Sequence, residues 1–298
     1  MLRKLYAVDD SPEPESFITV SHHPHIRVLD RDTWQETWAW NKFETNVIED
    51  AVYGYGIVVA VTREHLEWVK IADISKNKKL TKVNAPGLAR EMETGGVMQN
   101  GTQIAVGSKH KLGLIDLETG RAIRSVETNP NDGRPNPAPS SITAVPGHPG
   151  LVIHMDGSGK AAVWDLNASN KDPIKVILGV EKNPMAPKFN PTNPNEFICL
   201  SLDQVVKVYD FNRGRAIHTL DVSKTHNPRS VSIYGNAVLQ AVATGSGDMG
   251  VINLLDNNDV NEDVAQFSVH DRLEACYLTA SSAIVAGGGI VDYKLASQ

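Results

Sequence analysis

The stretch SSITAVPGHPGLVIHMDGSGKAAVWDL, residues 140–166, decides the fold of this chain. It holds three short segments rich in Val, Ile, Leu and Ala, separated by turns that contain Gly, Pro, Asp and Ser. Such segments are typical of β-strands joined by tight turns, and PIKVIL at 173–178 adds a fourth. The sequence therefore predicts a four-stranded sheet whose third strand ends at Trp164 and Asp165.

The same order of segments recurs along the chain, and an aspartate ends each apolar run. These aspartates are 43, 43, 49, 45, 46 and 36 residues apart, and a period of about 40–45 residues is typical of a four-stranded propeller blade. No stretch keeps the apolar period of a helix over three turns. The repeat predicts an all-β, seven-bladed β-propeller of four-stranded blades, with residues 1–298 as one domain and almost no helix. The seven positions are Asp30, Asp73, Asp116, Asp165, Asp210, Asp256 and Asp292.

The two ends of the chain suggest how such a ring would close. The last unit contains three strand-like segments, LEACYLTA, SAIVAGG and GIVDYKL, and stops at Gln298 before a fourth. Because an unpaired sheet edge is a liability, we expect LRKLYAV at 2–8 to supply the missing strand. On this prediction the last blade is built from both termini.

These features resemble the WD40 family of β-propellers over essentially the whole chain. Trp164–Asp165 is a literal Trp-Asp ending, and Tyr209–Asp210 is its nearest variant. The Gly-His pair that commonly precedes the inner strand in that family is largely lost here. The family's tight-turn aspartate is matched by Asp203 and, more loosely, by Asp156 and Asp248. The resemblance implies a propeller that binds partners on a face made of turns.

Composition and charge narrow the classes of function. Hydrophobic residues make up 41% and charged residues 21% of the chain, so a sizeable buried core is expected. The formal net charge of −6 argues against a general electrostatic surface for nucleic acid or anionic membrane. No apolar run approaches the roughly 18 residues of a membrane span. Cys199 and Cys276 lie in apolar runs, which predicts buried thiols and a cytoplasmic or nuclear location.

The sequence offers no recognisable constellation for catalysis. It contains neither a GxxxxGK[ST] phosphate loop nor a GxSxG turn leading into a helix. His22, His23 and His25 are of the ligand type that transition metals take, but a polar turn stiffened by Pro24 is the simpler interpretation. We therefore expect no enzymatic activity, no cofactor and no resident metal.

The turns between second and third strands are the candidate binding surface, because loops on a rigid scaffold usually carry recognition. Those of the first three blades are basic or rich in histidine, and those of the next three carry an aspartate. We expect a partner protein to dock with its acidic part over the second and third blades; a solvated rim of scattered charge is the alternative. The candidates are His22, His23, His25, Arg63, His65, Lys109, His110, Lys111, Asp156, Asp203 and Asp248.

Two other features are candidate surfaces. The segment 127–141 is longer and richer in proline than the other blade junctions, and such a loop is usually functional or mobile. Trp34, Trp38 and Trp40 alternate in DTWQETWAWN, which predicts that all three lie on one side of the outer strand of the first blade. We expect them to pack between blades, with a partner interface as the alternative.

Taken together, these patterns favour a non-catalytic scaffold for protein–protein interaction that is a subunit of a larger complex. One alternative is a propeller enzyme, such as a hydrolase or lactonase, with a metal bound in its channel. Another is a propeller that binds a phospho-ligand or nucleic acid on the half rich in His and Lys, which the acidic net charge disfavours.

Overall fold

The computed structural model describes residues 2–7, 14–21, 25–40, 50–62, 65–70, 81–84, 96–107, 111–128, 141–156, 159–169, 172–180, 184–185, 187–201, 205–221, 227–243, 250–256, 263–269, 273, 275–287 and 290–295. Every regular element in these ranges is a β-strand. The prediction of an all-β chain is therefore confirmed over the described residues. No helix in these ranges is long and apolar enough to cross a membrane.

The described strands assort into seven antiparallel sheets, six of four strands and one of three. They belong to two compact units, one formed by residues 1–41 and 187–298 and the other by residues 42–186. The first sheet lies in the first of these units and has the order β1-β2-β3-β4. Its strands are β1 (Leu2–Ala7), β2 (Ser16–Ser21), β3 (His25–Asp30) and β4 (Glu36–Trp40).

The unit formed by residues 42–186 contains three four-stranded sheets, in each of which neighbouring strands follow one another in the chain. The first consists of β5 (Asp50–Gly54), β6 (Ile57–Val61), β7 (His65–Lys70) and β8 (Thr81–Asn84). The second consists of β9 (Gly96–Asn100), β10 (Gln103–Gly107), β11 (Lys111–Asp116) and β12 (Ala122–Glu127). The third consists of β13 (Ser141–Ala144), β14 (Leu151–Met155), β15 (Ala161–Asp165) and β16 (Lys175–Ile177).

The remaining three sheets belong to the same unit as the first. One consists of β17 (Lys188–Asn190), β18 (Asn193–Leu200), β19 (Val205–Asp210) and β20 (Arg215–Asp221). The next consists of β21 (Asn227–Tyr234), β22 (Ala237–Ala243), β23 (Gly250–Asp256) and β24 (Asp263–Val269). The three-stranded sheet consists of β25 (Ala275–Leu278), β26 (Ser282–Ala286) and β27 (Ile290–Lys294).

The predicted pairing of residues 2–8 with the last sheet is wrong. β1 pairs antiparallel with β2, with Tyr6 opposite Ile18 and Ala7 opposite Phe17. The sheet β25–β27 keeps three strands in the described part of the chain, and β1 contacts β25 without joining its sheet. A strand that pairs with its neighbour in sequence closes a short loop, which loses less conformational entropy than pairing with the far end of the chain.

Five of the seven repeat aspartates are the last residue of a third strand, as predicted: Asp30, Asp116, Asp165, Asp210 and Asp256. Asp292 is not, because it lies in the middle of β27 and pairs with Ile284. Lys294, opposite Ser282, takes the aspartate's place there. In the second sheet the equivalent place, opposite the first residue of β6, is held by Lys70; Asp73 lies outside the described residues.

Buried aliphatic side chains join neighbouring sheets within each unit. In residues 42–186, Val59 and Leu66 pack against Ile104 and Val106, and Leu112 and Leu114 belong to one cluster with Ile142, Val152 and Trp164. The sheet β9–β12 thus contributes one cluster to its contact with the sheet β5–β8 and a different cluster to its contact with the sheet β13–β16. This is expected when antiparallel sheets stack face to face.

In the other unit the sheet β25–β27 is packed on both faces. Leu239 of β22 lies in one cluster with Cys276, Leu278 and Val285. Phe17 of β2 lies in another with Ala275, Ile284 and Ala286. Both cysteines are buried, as the sequence predicted.

Candidate functional site

The turns that follow the third strands are held by aspartate side chains. Asp30 Oδ1 accepts hydrogen bonds from the backbone N–H of Thr33 at 2.9 Å and from its hydroxyl at 2.7 Å. Asp116 Oδ1 accepts the same two bonds from Thr119, each at 2.7 Å. The Thr33 hydroxyl lowers the pKa of Asp30 most, and the Thr119 backbone N–H lowers that of Asp116 most. The ionised carboxylate thus fixes the shape of each turn.

Asp165 and Asp210 fix their turns in a similar way. Asp165 Oδ1 accepts from the backbone N–H of Asn167 at 2.8 Å. Asp210 Oδ1 accepts from the backbone N–H of Arg213 at 2.8 Å and from Asn195 Nδ2 at 3.1 Å. Burial alone would raise the pKa of Asp210, but these hydrogen bonds outweigh it and lower the pKa. The same position therefore has the same local role in four sheets.

The residues that precede these aspartates belong to the core. Trp164 is 5% exposed and packs in the cluster that joins two sheets. Tyr209 is 1% exposed and stacks on Phe197 with ring centroids 4.8 Å apart and planes 6° from parallel. The Trp-Asp and Tyr-Asp endings thus combine a buried ring with a carboxylate that holds the next turn.

Four of the eleven candidate binding residues lie in the described part of the chain: His25, His65, Lys111 and Asp156. The candidates outside it are His22, His23, Arg63, Lys109, His110, Asp203 and Asp248, and residues 129–140 of the proline-rich junction are outside it as well. Of the four, three are partly exposed and one is buried.

His65 is not part of an exposed turn. It is the first residue of β7 and is 6% exposed. Its Nε2 lies 2.7 Å from Oε1 of Glu67, which is 1% exposed, and its backbone N–H donates to Thr62 Oγ1 at 3.0 Å. The prediction that His65 faces a partner is therefore wrong. Residues 65 and 67 share one side of the strand, so the polar pair is satisfied internally.

His25 opens β3 and is partly exposed. Its Nδ1 lies 3.4 Å from Nη2 of Arg27, and Arg27 Nε lies 3.4 Å from Oε2 of Glu36. Burial and the nearby Arg27 charge lower the pKa of His25, while Glu36 acts against them. An imidazole beside a cation and a carboxylate forms a mixed polar surface and not a purely basic one.

Lys111 and Asp156 flank the turns between second and third strands of neighbouring sheets in residues 42–186. Lys111 is the first residue of β11. Asp156 follows β14, and its Oδ1 accepts from the backbone N–H of Lys160 at 3.0 Å while its own N–H donates to the Lys160 carbonyl at 2.8 Å. The register places Lys160 at the position of Lys111, since Ala161 pairs with Met155 as Leu112 pairs with Gly107. The two turns therefore differ in the carboxylate of Asp156 and not in this lysine.

The prediction that the three tryptophans lie on one side of a strand is wrong. Trp34 precedes β4, has a φ of 55° and stacks on Phe17 with ring centroids 5.6 Å apart. Trp38 and Trp40 lie on one side of β4 and stack on each other at 6.4 Å. The chain turns between Asp30 and β4, which breaks the alternation that the sequence pattern implied.

Two buried groups were not singled out in the sequence. His154, in β14, is 4% exposed, and burial lowers its pKa to about 4 against a weaker opposing effect of Asp156. Asn190, at the end of β17, is 2% exposed and bonds to the backbone of Gly235 in the next sheet. The Asn in FNPTNPN signals a turn, but its partner across the sheets is not visible in a sequence.

The described residues contain no group of three or more His, Cys, Asp or Glu arranged to hold a metal ion. Burial raises the pKa of the Cys199 thiol to about 12, which suits a structural thiol more than a reactive one.

Comparison with known proteins gives a likeness of fold only. The chain matches no protein-family model and no curated protein. Among solved structures, it is similar to the computationally designed Ika8 protein, with a TM-score of 0.67 at 15% sequence identity. That likeness covers 99% of this chain and 83% of the designed chain. At this identity it supports an all-β arrangement of antiparallel sheets.

Proposed function

We propose that the chain is a divergent WD40-like β-propeller, a closed ring of six four-stranded blades and one three-stranded blade, that acts as a non-catalytic scaffold for protein–protein interaction. The sequence period of the aspartates and the seven sheets in chain order support the architecture. Two buried thiols fit a cytoplasmic or nuclear protein. In this proposal it is one subunit of a larger complex.

The observation that carries the proposal is the contrast between equivalent turns on neighbouring sheets. Hydrogen bonds to Lys160 hold Asp156 in its turn, whereas the sequence of the equivalent turn in the preceding sheet, SKHK at 108–111, contains two lysines and no carboxylate. Fixed charges of opposite sign orient a partner and select against wrong ones more than they add affinity. We therefore infer that the acidic part of a partner protein docks over Lys109 and Lys111.

Charge reversal tests this surface. Proteins that copurify with the wild-type chain are first identified by mass spectrometry, and their recovery is then compared with that on Lys109→Glu/Lys111→Glu. We expect a fall of about fivefold or more at low salt, and a smaller fall at high salt because ions screen exposed charges.

Lys70→Glu/Lys82→Glu is the matched control, because it makes the same change in charge at two exposed lysines away from the turns between second and third strands. It should leave recovery unchanged. Equal recovery on wild type and on Lys109→Glu/Lys111→Glu at low salt contradicts the proposed docking surface.

A further inference from the structure

The outer strand of the sheet β13–β16 carries an exposed apolar stripe. Ile174, Val176 and Leu178 are 49%, 57% and 64% exposed, whereas Ile177 between the last two is 2% exposed. Alternate residues of a strand lie on the same side, so the three exposed side chains form one stripe. They are three of the seven large exposed hydrophobic side chains in the described part of the chain.

The stripe is specific to this sheet. Val176 pairs with Ala162, three residues before the end of β15 at Asp165. The residues at the equivalent place on the other five fourth strands are Ala39, Lys82, Ser125, Thr219 and Gln266. Packing of the fold therefore does not require a large apolar residue at this position.

The next position along the fourth strand, by contrast, has the same type of residue in every four-stranded sheet. One residue further along, all six fourth strands have a large apolar residue: Trp40, Val83, Val126, Ile177, Leu220 and Phe267. Beyond that, where β16 leads into Leu178, other sheets have polar residues: Asn84, Glu127, Asp221 and Ser268. Val176 and Leu178 are thus apolar at two places where the repeat is otherwise polar or small.

β16 also lies at the edge of its sheet, last in the order β13-β14-β15-β16. An edge strand has backbone N–H and C=O groups that its own sheet does not pair, and charged residues usually protect it. Lys175 is the one charged residue of β16. An apolar stripe on the last strand of a sheet is the arrangement to which an extended segment adds as a further strand.

We propose that β16 is a docking edge for an extended segment of a partner protein that carries apolar residues at alternate positions. A second copy of the chain fits less well. Three exposed side chains, that of Val176 in β16 and those of Ile174 and Leu178 directly beside it, are a small part of the roughly 800 Å² per partner that a stable interface buries. An added strand needs only main-chain hydrogen bonds and contacts to alternate side chains.

This docking edge is distinct from the turns that carry Lys109 and Lys111, so either surface can exist without the other. The probe is the synthetic peptide acetyl-EVTVTVE-amide, titrated into the isotope-labelled full-length chain and followed by NMR. We expect shift changes centred on residues 174–178. Val176→Lys/Leu178→Glu, which introduces residue types found at these places in other sheets, should weaken binding about tenfold or more. The same peptide methylated on alternate backbone nitrogens should bind the wild-type chain about tenfold or more weakly as well, because it cannot donate the hydrogen bonds of an added strand.

Tyr55→Lys/Ile123→Glu is the control, since these side chains are 64% and 49% exposed in the same unit; it should bind the peptide as wild type does. If the double variant at 176 and 178 does not fold, Val176→Thr is used in its place and is likewise expected to bind the peptide more weakly than wild type. The proposal is overturned by absence of peptide binding, by equal affinity for the variant or by equal binding of the methylated peptide. Dimerisation in sedimentation that Val176→Lys/Leu178→Glu abolishes would instead make a second copy the occupant.

Discussion

Replacing Asn190 by alanine removes a side chain that joins two sheets of residues 187–298. Its Nδ2 donates to the Gly235 carbonyl at 2.8 Å, and its Oδ1 accepts from the Gly235 N–H at 3.1 Å. The same oxygen accepts from the backbone N–H and the hydroxyl of Thr192 at 3.2 and 3.0 Å. One buried amide thus closes a turn of its own sheet and binds the hairpin between β21 and β22.

The size of the effect follows from what the alanine leaves behind. A buried backbone group without its partner costs about 1–3 kcal/mol, and the change affects both the N–H and the C=O of Gly235. Because Gly235 is only partly buried, water replaces part of the lost bonding. We expect the free energy of unfolding to fall by about 2 kcal/mol, and Tm to fall by about 3 °C.

Urea unfolding and thermal melting measure this change. Asn167→Ala is the control, because its amide also bonds to a backbone carbonyl, that of Pro149 at 3.1 Å, but at an exposed site; it should change the free energy of unfolding by less than about 0.5 kcal/mol. Asn190→Asp keeps the acceptor but places a second carboxylate near Glu196 Oε2, which lies 3.3 Å from Asn190 Nδ2. That variant should regain stability as the pH falls and the acid becomes a donor. A loss below about 0.5 kcal/mol in Asn190→Ala refutes the reasoning.

Three further variants test the turns and the core. Gly150→Ala should lower the free energy of unfolding by about 1–3 kcal/mol in urea, because its φ is +89° and an added methyl overlaps the Asn167 amide; adding Asn167→Gly should recover the steric part. Burial lowers the His154 pKa to about 4, so the unfolded state gains a proton first as the pH falls from about 6.5, and wild type loses about 3 kcal/mol by pH 4; His154→Leu should remove that loss in melts across this range. Hydrogen bonds from Thr119 lower the Asp116 pKa below its usual 3.8, so their stabilisation is present above that pH and lost below it; melts of Asp116→Ala should show a smaller decrease in Tm between about pH 4 and pH 2 than wild type.

The strands were predictable because each carries its own local signal. In residues 139–178 the apolar segments and the Gly and Pro turns predict four strands, and β13 to β16 lie within them. The sheet to which the N-terminal strand belongs was not predictable in the same way. LRKLYAV has a strand pattern, but the choice between β2 and β27 as its neighbour depends on loop closure and packing, which a pattern does not encode.

Register explains why Asp292 is misplaced. An apolar run that ends in Asp resembles the repeat whether or not the residue lies opposite the start of the second strand. Asp292 fails this test, because it pairs with Ile284 while Lys294 pairs with Ser282. The sequence gives the composition of a strand more reliably than its offset, since a shift of two residues preserves which side chains face the core.

The candidate site was predicted less well than the strands, because exposure depends on neighbouring sheets. His65 follows Arg63 and Glu64 in what reads as a charged turn. The alternation in HLEWVK nevertheless places His65 and Glu67 on one side of a strand, and the structure buries both together at 2.7 Å. A polar pair at alternate positions in a strand was the signal that could have identified them.

A repeated register makes it possible to separate residues that the fold requires from residues that it does not. The position of the fourth strand that Ile177 occupies holds a large apolar residue in all six four-stranded sheets, from Trp40 to Phe267, so a packing requirement common to the sheets accounts for it. The position before it, which Val176 occupies, varies between the sheets and holds Lys82 in another of them. A packing requirement common to the sheets therefore does not account for the valine. The same comparison applies to the turns between second and third strands, where residues 108–111 contain two lysines and residues 156–160 contain Asp156 and Lys160. A position whose residue differs between sheets, while the next position along the strand stays alike, is therefore a candidate for selection by binding. At β16 there are two such positions, those of Val176 and Leu178.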